Sequence, residues 1–202
     1  MISFRFAQYM LKKILTLVLM CCSITIHAQF ITARATHASG ILSNNLIETD
    51  FSKSLGGEIY FSKSLDLIPL NYNLGLDYMM TDSIQAAYAV TGLSFIIFTP
   101  SGFSATNVES VTYTTFNWLH YADLNIYNGV QLSGDDYVYA FAGEVDYNIG
   151  YLLGKQFFIH TGFGGRYTNI PSNKNTALEF SSVDFMLKFG ILWKLKTRRY
   201  KQ

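Results

Sequence analysis

Charge is scarce in this chain, and so is proline. Asp, Glu, Lys and Arg make up only 14% of the 202 residues, against 50% hydrophobic ones. That balance excludes a disordered segment, which needs low hydrophobicity and high charge. The formal net charge is +1, so no basic field marks a nucleic-acid partner. There is no internal repeat, no low-complexity tract and no break in composition that would announce a second domain. Metal-ligand spacing is also missing, because His37, His120 and His160 lie far apart. The stretch Gly162-Phe163-Gly164-Gly165 lacks the following Lys-Ser/Thr of a phosphate loop. No cofactor is expected. What the chain has in quantity is aromatic residues, 14 Tyr and 16 Phe beside only 3 Pro. That composition suits pleated strands better than helices.

The N-terminus has a different character. Lys12 and Lys13 precede an uncharged apolar run from Ile14 to Ile26. Its 13 residues are too few for a spanning helix, which needs roughly 20, and fit the core of a secretory signal, roughly 7–15. Ile26-His27-Ala28 offers a small residue at a cleavage point, so residues 1–28 are expected to be removed. Met10-Leu11-Lys12-Lys13 makes a compact start, more natural than Met1. Cys21 and Cys22 would leave with this segment, so a mature chain 29–202 has neither thiol nor disulfide. A lipid-modified cysteine normally follows a small residue, whereas Met20 precedes Cys21. Arg5, Lys12 and Lys13 are lost as well, and the remaining 12 cations against 14 acids give a net charge of −2.

The strongest pattern lies near the C-terminus. Val183, Phe185, Leu187, Phe189, Ile191, Trp193 and Leu195 share one face of an extended strand. Asp184, Met186, Lys188, Gly190, Leu192 and Lys194 share the other. This period of two runs over 13 residues, long for a soluble strand and suited to a tilted membrane strand. A second such strand puts Tyr137, Tyr139, Phe141, Val145, Tyr147, Ile149 and Tyr151 on one face, with Ala140, Ala142, Glu144, Asp146 and Asn148 opposite. In a soluble barrel the large apolar face points inward. In a membrane barrel it meets lipid, and small or paired charged residues fill the interior.

Extending outward from these two strands gives eight, over 30–38, 53–63, 71–79, 86–98, 111–126, 136–151, 157–168 and 182–195. Tyr72, Leu74, Leu76 and Tyr78 share a face in the third, and Phe116, Trp118, Leu124 and Ile126 in the fifth. An even number puts both termini on one side. Residues 152–156, with Gly154, read as a tight turn on that side. Segments 39–52, 127–135 and 169–181 read as outer loops, carrying Asn44-Asn45, Ser133-Gly134-Asp135 and Pro171-Ser172-Asn173. The first two strands alternate weakly. Leu93 to Phe98 hardly alternates, which a bulge or a buried stretch would explain. Residues 99–110 are long for an inner turn.

Lys188, Gly190, Trp193 and Leu195 occupy the places of a polar residue, a glycine two later, and two hydrophobic residues separated by one. This stretch resembles the C-terminal β-signal of outer-membrane barrels. With the N-terminal segment, the whole mature chain resembles the small OmpA/OmpX-like outer-membrane β-barrel proteins. It departs from many of them in ending on a basic tail, Lys196 to Gln202, rather than on an aromatic residue. The resemblance implies an all-β, up-and-down antiparallel transmembrane barrel of about eight strands in a Gram-negative outer membrane. Its partners would be outer-membrane lipid and, during biogenesis, the barrel-assembly machinery.

An eight-stranded barrel has an interior just wide enough for side chains to fill. Arg34, Glu58, Asp77, Asp123, Glu144, Asp146, His160, Arg166, Asp184 and Lys188 fall on the expected inward faces and form a candidate ion-pair network. Tyr139, Tyr151, Tyr167 and Trp193 are the candidate aromatic girdle. The expected function is non-enzymatic, structural or interactive. Two alternatives stand beside it. His37 and Ser39 share a strand face near the outer rim, where a lipid-modifying barrel enzyme would need Ser, His and an acid. A soluble periplasmic β-barrel binding an apolar ligand is the other.

Overall fold

A computed structural model describes residues 29–44, 47–65, 68–80, 84–100, 112–114, 117–133, 136–170 and 180–195. The expected signal segment 1–28, Phe116 and the basic tail 196–202 lie outside the described residues. The described residues form nine strands: β1 (Phe30–Asn44), β2 (Ile47–Ser64), β3 (Leu70–Met80), β4 (Ile84–Pro100), β5 (Thr112–Thr114), β6 (Trp118–Ser133), β7 (Asp136–Leu153), β8 (Phe157–Ile170) and β9 (Phe180–Lys194). Each long strand pairs antiparallel with its neighbours in sequence, β1 pairs with β9, and β4 pairs with β6. The result is a closed up-and-down barrel of eight strands. The three-residue β5 lies parallel against the end of β4. Gln29 and Leu195 meet at one end, the near rim, where Leu195 N–H donates to Gln29 O. The β1–β2, β3–β4, β6–β7 and β8–β9 connections lie at the opposite, far rim.

The register fixes the barrel's dimensions. Following partners around the ring from Phe30 leads through Ser62, Asn73, Gly92, Asn125, Glu144, Arg166 and Asp184 to Gly40. The ring closes ten residues further along β1, from position 30 to position 40. With ordinary strand spacing that stagger tilts the strands by about 40° and sets opposite strand axes roughly 16 Å apart.

Alternation governs every wall. Large apolar side chains point outward and stay exposed, among them Leu76, Leu124, Val145, Phe163, Leu187 and Phe189. A soluble fold would bury such a belt; a barrel immersed in lipid displays it. The weak alternation of β1 and β2 conceals a regular one. Positions 30, 32, 34, 36, 38 and 40 of β1 are buried, while Ala33, Ala35, His37 and Ser39 face out. Their small or polar character hides the period from a hydrophobicity reading. Between Ile96 and Phe98 the β4 register slips, a bulge at Ile97. The inward positions change there from Ser94 and Ile96 to Thr99, which explains the unbroken apolar run.

The strands exceed their expected limits at the far rim. Much of 39–52 and 127–135 continues β1, β2, β6 and β7 rather than forming loops. These ends are polar, so they resemble loops by composition, yet the ladder carries them upward as paired wall. The expected strand 111–126 divides into β5 and a β6 that starts at Trp118 and runs to Ser133. Proline respects the ladder. Pro69 precedes β3, Pro100 ends β4, and Pro171 follows the end of β8.

Two glycines have a positional reason. Gly154 adopts φ +76° in the near-rim turn between β7 and β8, where a side chain would be strained. Gly190 lies on β9 at the seam with β1. A Cβ there would overlap the Ala33 carbonyl oxygen and lie 2.8 Å from Arg34 Cα. Gly190→Ala should therefore push the first and last strands apart, at about 1–3 kcal/mol. Urea unfolding in lipid vesicles would register the loss, and an unshifted midpoint would contradict the close approach.

Candidate functional site

The lumen is layered. At the near rim Phe30, Ile96, Leu119, Tyr121, Phe158 and Leu192 form an apolar plug, with Leu152 packed against it. Toward the far rim Ala38, Met79, Ala86, Tyr88, Val90, Tyr127, Ala140, Ala142 and Met186 pack together. Between the two lies a network of charges. All eight long strands contribute, because each turns at least one polar residue inward at this height, and β7 turns three.

Arg34 on β1 holds Glu58 through Nε (3.0 Å) and Nη2 (2.8 Å), both on the same oxygen. Its Nη1 donates to Asp123 on β6 (3.0 Å) and to Asn148 on β7 (3.2 Å). Arg166 on β8 donates to Glu144 (2.8 Å) and to Asp77 on β3 (2.8 Å), with its guanidinium 4.0 Å from the centre of the Tyr127 ring. Lys188 on β9 reaches Asp146 (2.6 Å), Glu58 (3.3 Å) and Glu144. Ser94 on β4 donates to Asp123 (2.5 Å). Arg34, Glu58, Asp77, Asp123, Glu144, Asp146 and Lys188 have no exposed side-chain surface, and Arg166 has 3%. Three cations face five carboxylates, and each cation bridges at least two of them.

Such a network specifies the barrel more than it stabilises it. Buried ion pairs roughly break even against well-packed apolar residues, but removing one partner strands its mates. A one-residue slip of any strand would turn its network member, a charge on seven strands and Ser94 on β4, to the outer face, so the network favours one register for all eight.

Two of the expected members stand apart. His160 on β8 is buried but lies at the plug, its Nδ1 bonded to the Tyr121 hydroxyl at 3.1 Å, and it pairs with no acid. Asp184 on β9 is half-buried toward the far rim. It accepts a bond from Ser182 (2.8 Å) and, among the described residues, forms no ion pair, although Arg166 is its register partner. The intervening stretch is already taken, since Arg166 points to Glu144 and Asp77. Conversely, the network includes groups that the residue pattern did not single out. Tyr127 donates to Glu144 (2.6 Å) and Tyr60 to Asp123 (3.2 Å). Ser62, Asn73 and Ser94 form a relay of hydrogen bonds leading to Asp123. The signal was present in parity: Tyr60 follows Glu58 by two, and Tyr127 follows Asp123 by four.

On the outer wall Trp118, Tyr151, Phe157 and Trp193 gather near the near rim. Trp118 and Tyr151 meet edge to face at 5.0 Å, and Phe157 stacks on Trp193 at 5.5 Å. Tyr139 and Tyr167 are exposed on the outer wall toward the far rim. Lys188 and Gly190 of the terminal motif point inward, Trp193 points outward, and Leu195 lies one residue past β9.

His37 and Ser39 also point outward. Their ladder partners are Leu55 and Lys53 on β2, and Leu187 and Phe185 on β9. Among the described residues no acid accompanies them on that face as the third member of a Ser-His-acid arrangement. Among the described residues no three His, Cys, Asp or Glu side chains group as metal ligands. The cavity between network and plug, lined by Thr32, Tyr60, Ser62, Asn71 and Ile96, measures about 20 Å³. That is room for a water molecule and nothing larger.

No protein-family model matches the chain. No curated protein matches it in sequence either. Solved structures do match. Neisserial surface protein A (NspA) is 14% identical over 82% of this chain and 96% of its own, with a TM-score of 0.53. OprG, an outer membrane protein of Pseudomonas aeruginosa, is 11% identical over 83% and 95%, at 0.33. Ail, the attachment invasion locus protein of Yersinia pestis, is 9% identical over 82% and 99%, at 0.32. The likeness to NspA shows a shared fold, the closed antiparallel barrel of eight strands.

Proposed function

We propose that this protein is exported by its N-terminal segment and inserted in the outer membrane as a non-conducting, non-enzymatic barrel whose role is structural or interactive. The observation that carries this reading is the sealed lumen. An ion-pair network spans it, and an apolar plug closes the near rim below, so neither ions nor nutrients have a path. In this orientation the near rim faces the periplasm and the far rim the exterior. Trp118, Tyr151 and Trp193 then sit at the inner interface, and Tyr139 and Tyr167 at the outer one. Lys188, Gly190, Trp193 and Leu195 would present the last strand to the assembly machinery.

The exposed apolar belt disfavours a soluble ligand-binding barrel. Among the described residues no acid stands beside His37 and Ser39, which disfavours acyl transfer. Electrical recording tests the main reading. Purified barrel in a planar bilayer should give no stepwise conductance above the bare membrane. Steady open-channel current that scales with the amount inserted would overturn the reading.

A further inference from the structure

His37 and Ser39, singled out by their spacing, find no use in a sealed barrel, and what surrounds them is a cation rather than an acid. Ser39 and Lys53 are direct partners across β1 and β2, which sets their Cβ atoms roughly 5 Å apart. His37 lies two residues along the same face, roughly 7 Å away. Lys53 is exposed and, among the described residues, forms no ion pair. Three donors thus converge on one patch of an otherwise apolar wall, with Leu55, Phe185 and Leu187 as neighbours.

The height of the patch matters. Counting along the tilted ladder from Trp193 puts Lys53 about 25 Å above the inner aromatic cluster, the full depth of an apolar band. It is there level with Val183 and Tyr167, at the outer interface. Nearer the bilayer centre the wall is hollowed. Ala33, Ala35, Gly57 and Ile59 line a shallow groove, open along the outside of β1 and β2. Exposed side chains stand as ridges on both sides, Phe189 and Ile191 on β9, Tyr78 and Leu76 on β3. From Ala33 to Ser39 the strand runs roughly 20 Å, the length scale of an acyl chain.

We infer that this wall binds one phosphorylated, multiply acylated lipid of the outer leaflet, its anionic head on His37, Ser39 and Lys53 and one acyl chain in the groove beneath. A phosphate oxygen accepts from the Lys53 ammonium, the Ser39 hydroxyl and an imidazole N–H, and pairs a lysine that stands at the edge of the apolar band. The inference rests on the outer-membrane reading and refines it to a particular lipid contact.

The test uses the whole barrel, inserted in vesicles and then extracted in mild detergent, with bound lipid read by native mass spectrometry. The probes are diphosphorylated lipid A, the same lipid without phosphates, and phosphatidylglycerol. Wild-type barrel should retain the diphosphorylated lipid roughly tenfold better than the other two, the effect of one or two charge-assisted contacts. Lys53→Gln should abolish that preference. Gly57→Leu, where a Cβ meets nothing closer than 3.6 Å, should fill the groove and weaken retention of both glycolipids. The altered gel mobility of unheated barrel reports folding of each variant. Equal retention by wild type and Lys53→Gln would overturn the inference, as would equal competition by phosphatidylglycerol or a second copy of the chain occupying the face. Failure of the wild type to insert at all would sink the membrane reading along with it. Insertion without phosphate preference would sink this inference alone.

Discussion

Replacing Lys188 with Met should cost the barrel about 3–5 kcal/mol, because one buried ammonium holds three carboxylates and its loss strands them. Glu58, Glu144 and Asp146 all contact its Nζ and have no exposed side-chain surface. Arg34 and Arg166 keep partial hold on them, which sets the upper limit. Urea unfolding in lipid vesicles, followed through Trp118 and Trp193, measures the loss. A second change separates stranded charge from lost packing. Glu144→Gln on the Lys188→Met background removes one orphaned charge and should recover part of the stability. A Lys188→Met barrel within about 0.5 kcal/mol of wild type would mean that water reaches these carboxylates.

Phe189→Arg should cost about 2–4 kcal/mol if this wall faces lipid. Phe189 is 63% exposed and lies four residues before Trp193 on β9, about 10 Å above it and close to the bilayer centre. The sign of the argument depends entirely on the solvent. On a soluble barrel the same exposed position would tolerate arginine within about 0.5 kcal/mol. Phe189→Arg thus distinguishes the two environments where wild-type stability alone would not. Folded yield in vesicles and the urea midpoint should both fall, and an unchanged midpoint would place this face in water.

Sequence and structure agree most closely where side-chain size alternates. In β7, β8 and β9 large outward residues oppose alanine, glycine or charge, and their facing was readable directly. Arg34, Glu58, Asp77, Asp123, Glu144, Asp146, Arg166 and Lys188 were readable for the same reason, since a charge on a membrane strand has only one hospitable side. Three physical effects hid the rest. In β1 the outward residues Ala33, Ala35, His37 and Ser39 are no larger than the inward ones, so the period has little amplitude. At Ile97 a bulge reverses the parity, so an apolar run carries both faces at once. At the far rim the wall continues beyond the apolar band, and strands such as 127–133 turn polar while staying paired.

Tyrosine occupies both sides of the wall. Tyr137, Tyr139, Tyr151 and Tyr167 read as an outward aromatic surface, yet Tyr60 and Tyr127 are fully buried in the lumen, as is Tyr121 on the same face as Asp123. A phenol can serve on either side: its ring fills space between strands, and its hydroxyl satisfies a carboxylate or a histidine. Residue type alone does not decide between these places, whereas parity with Glu58 or Asp123 does. His160 and Asp184 show the converse limit. Parity turned both inward, but height in the lumen decides whether a partner is within reach.

The most direct test of a closed barrel in the outer membrane is its electrophoretic behaviour after fractionation. Cells expressing the full chain are separated into soluble periplasm, inner membrane and outer membrane. Each fraction is run with and without boiling. The protein should appear in the outer-membrane fraction and change mobility on heating, because a closed barrel resists detergent until boiled. Recovery in the soluble periplasm with one mobility at both temperatures would contradict a membrane barrel.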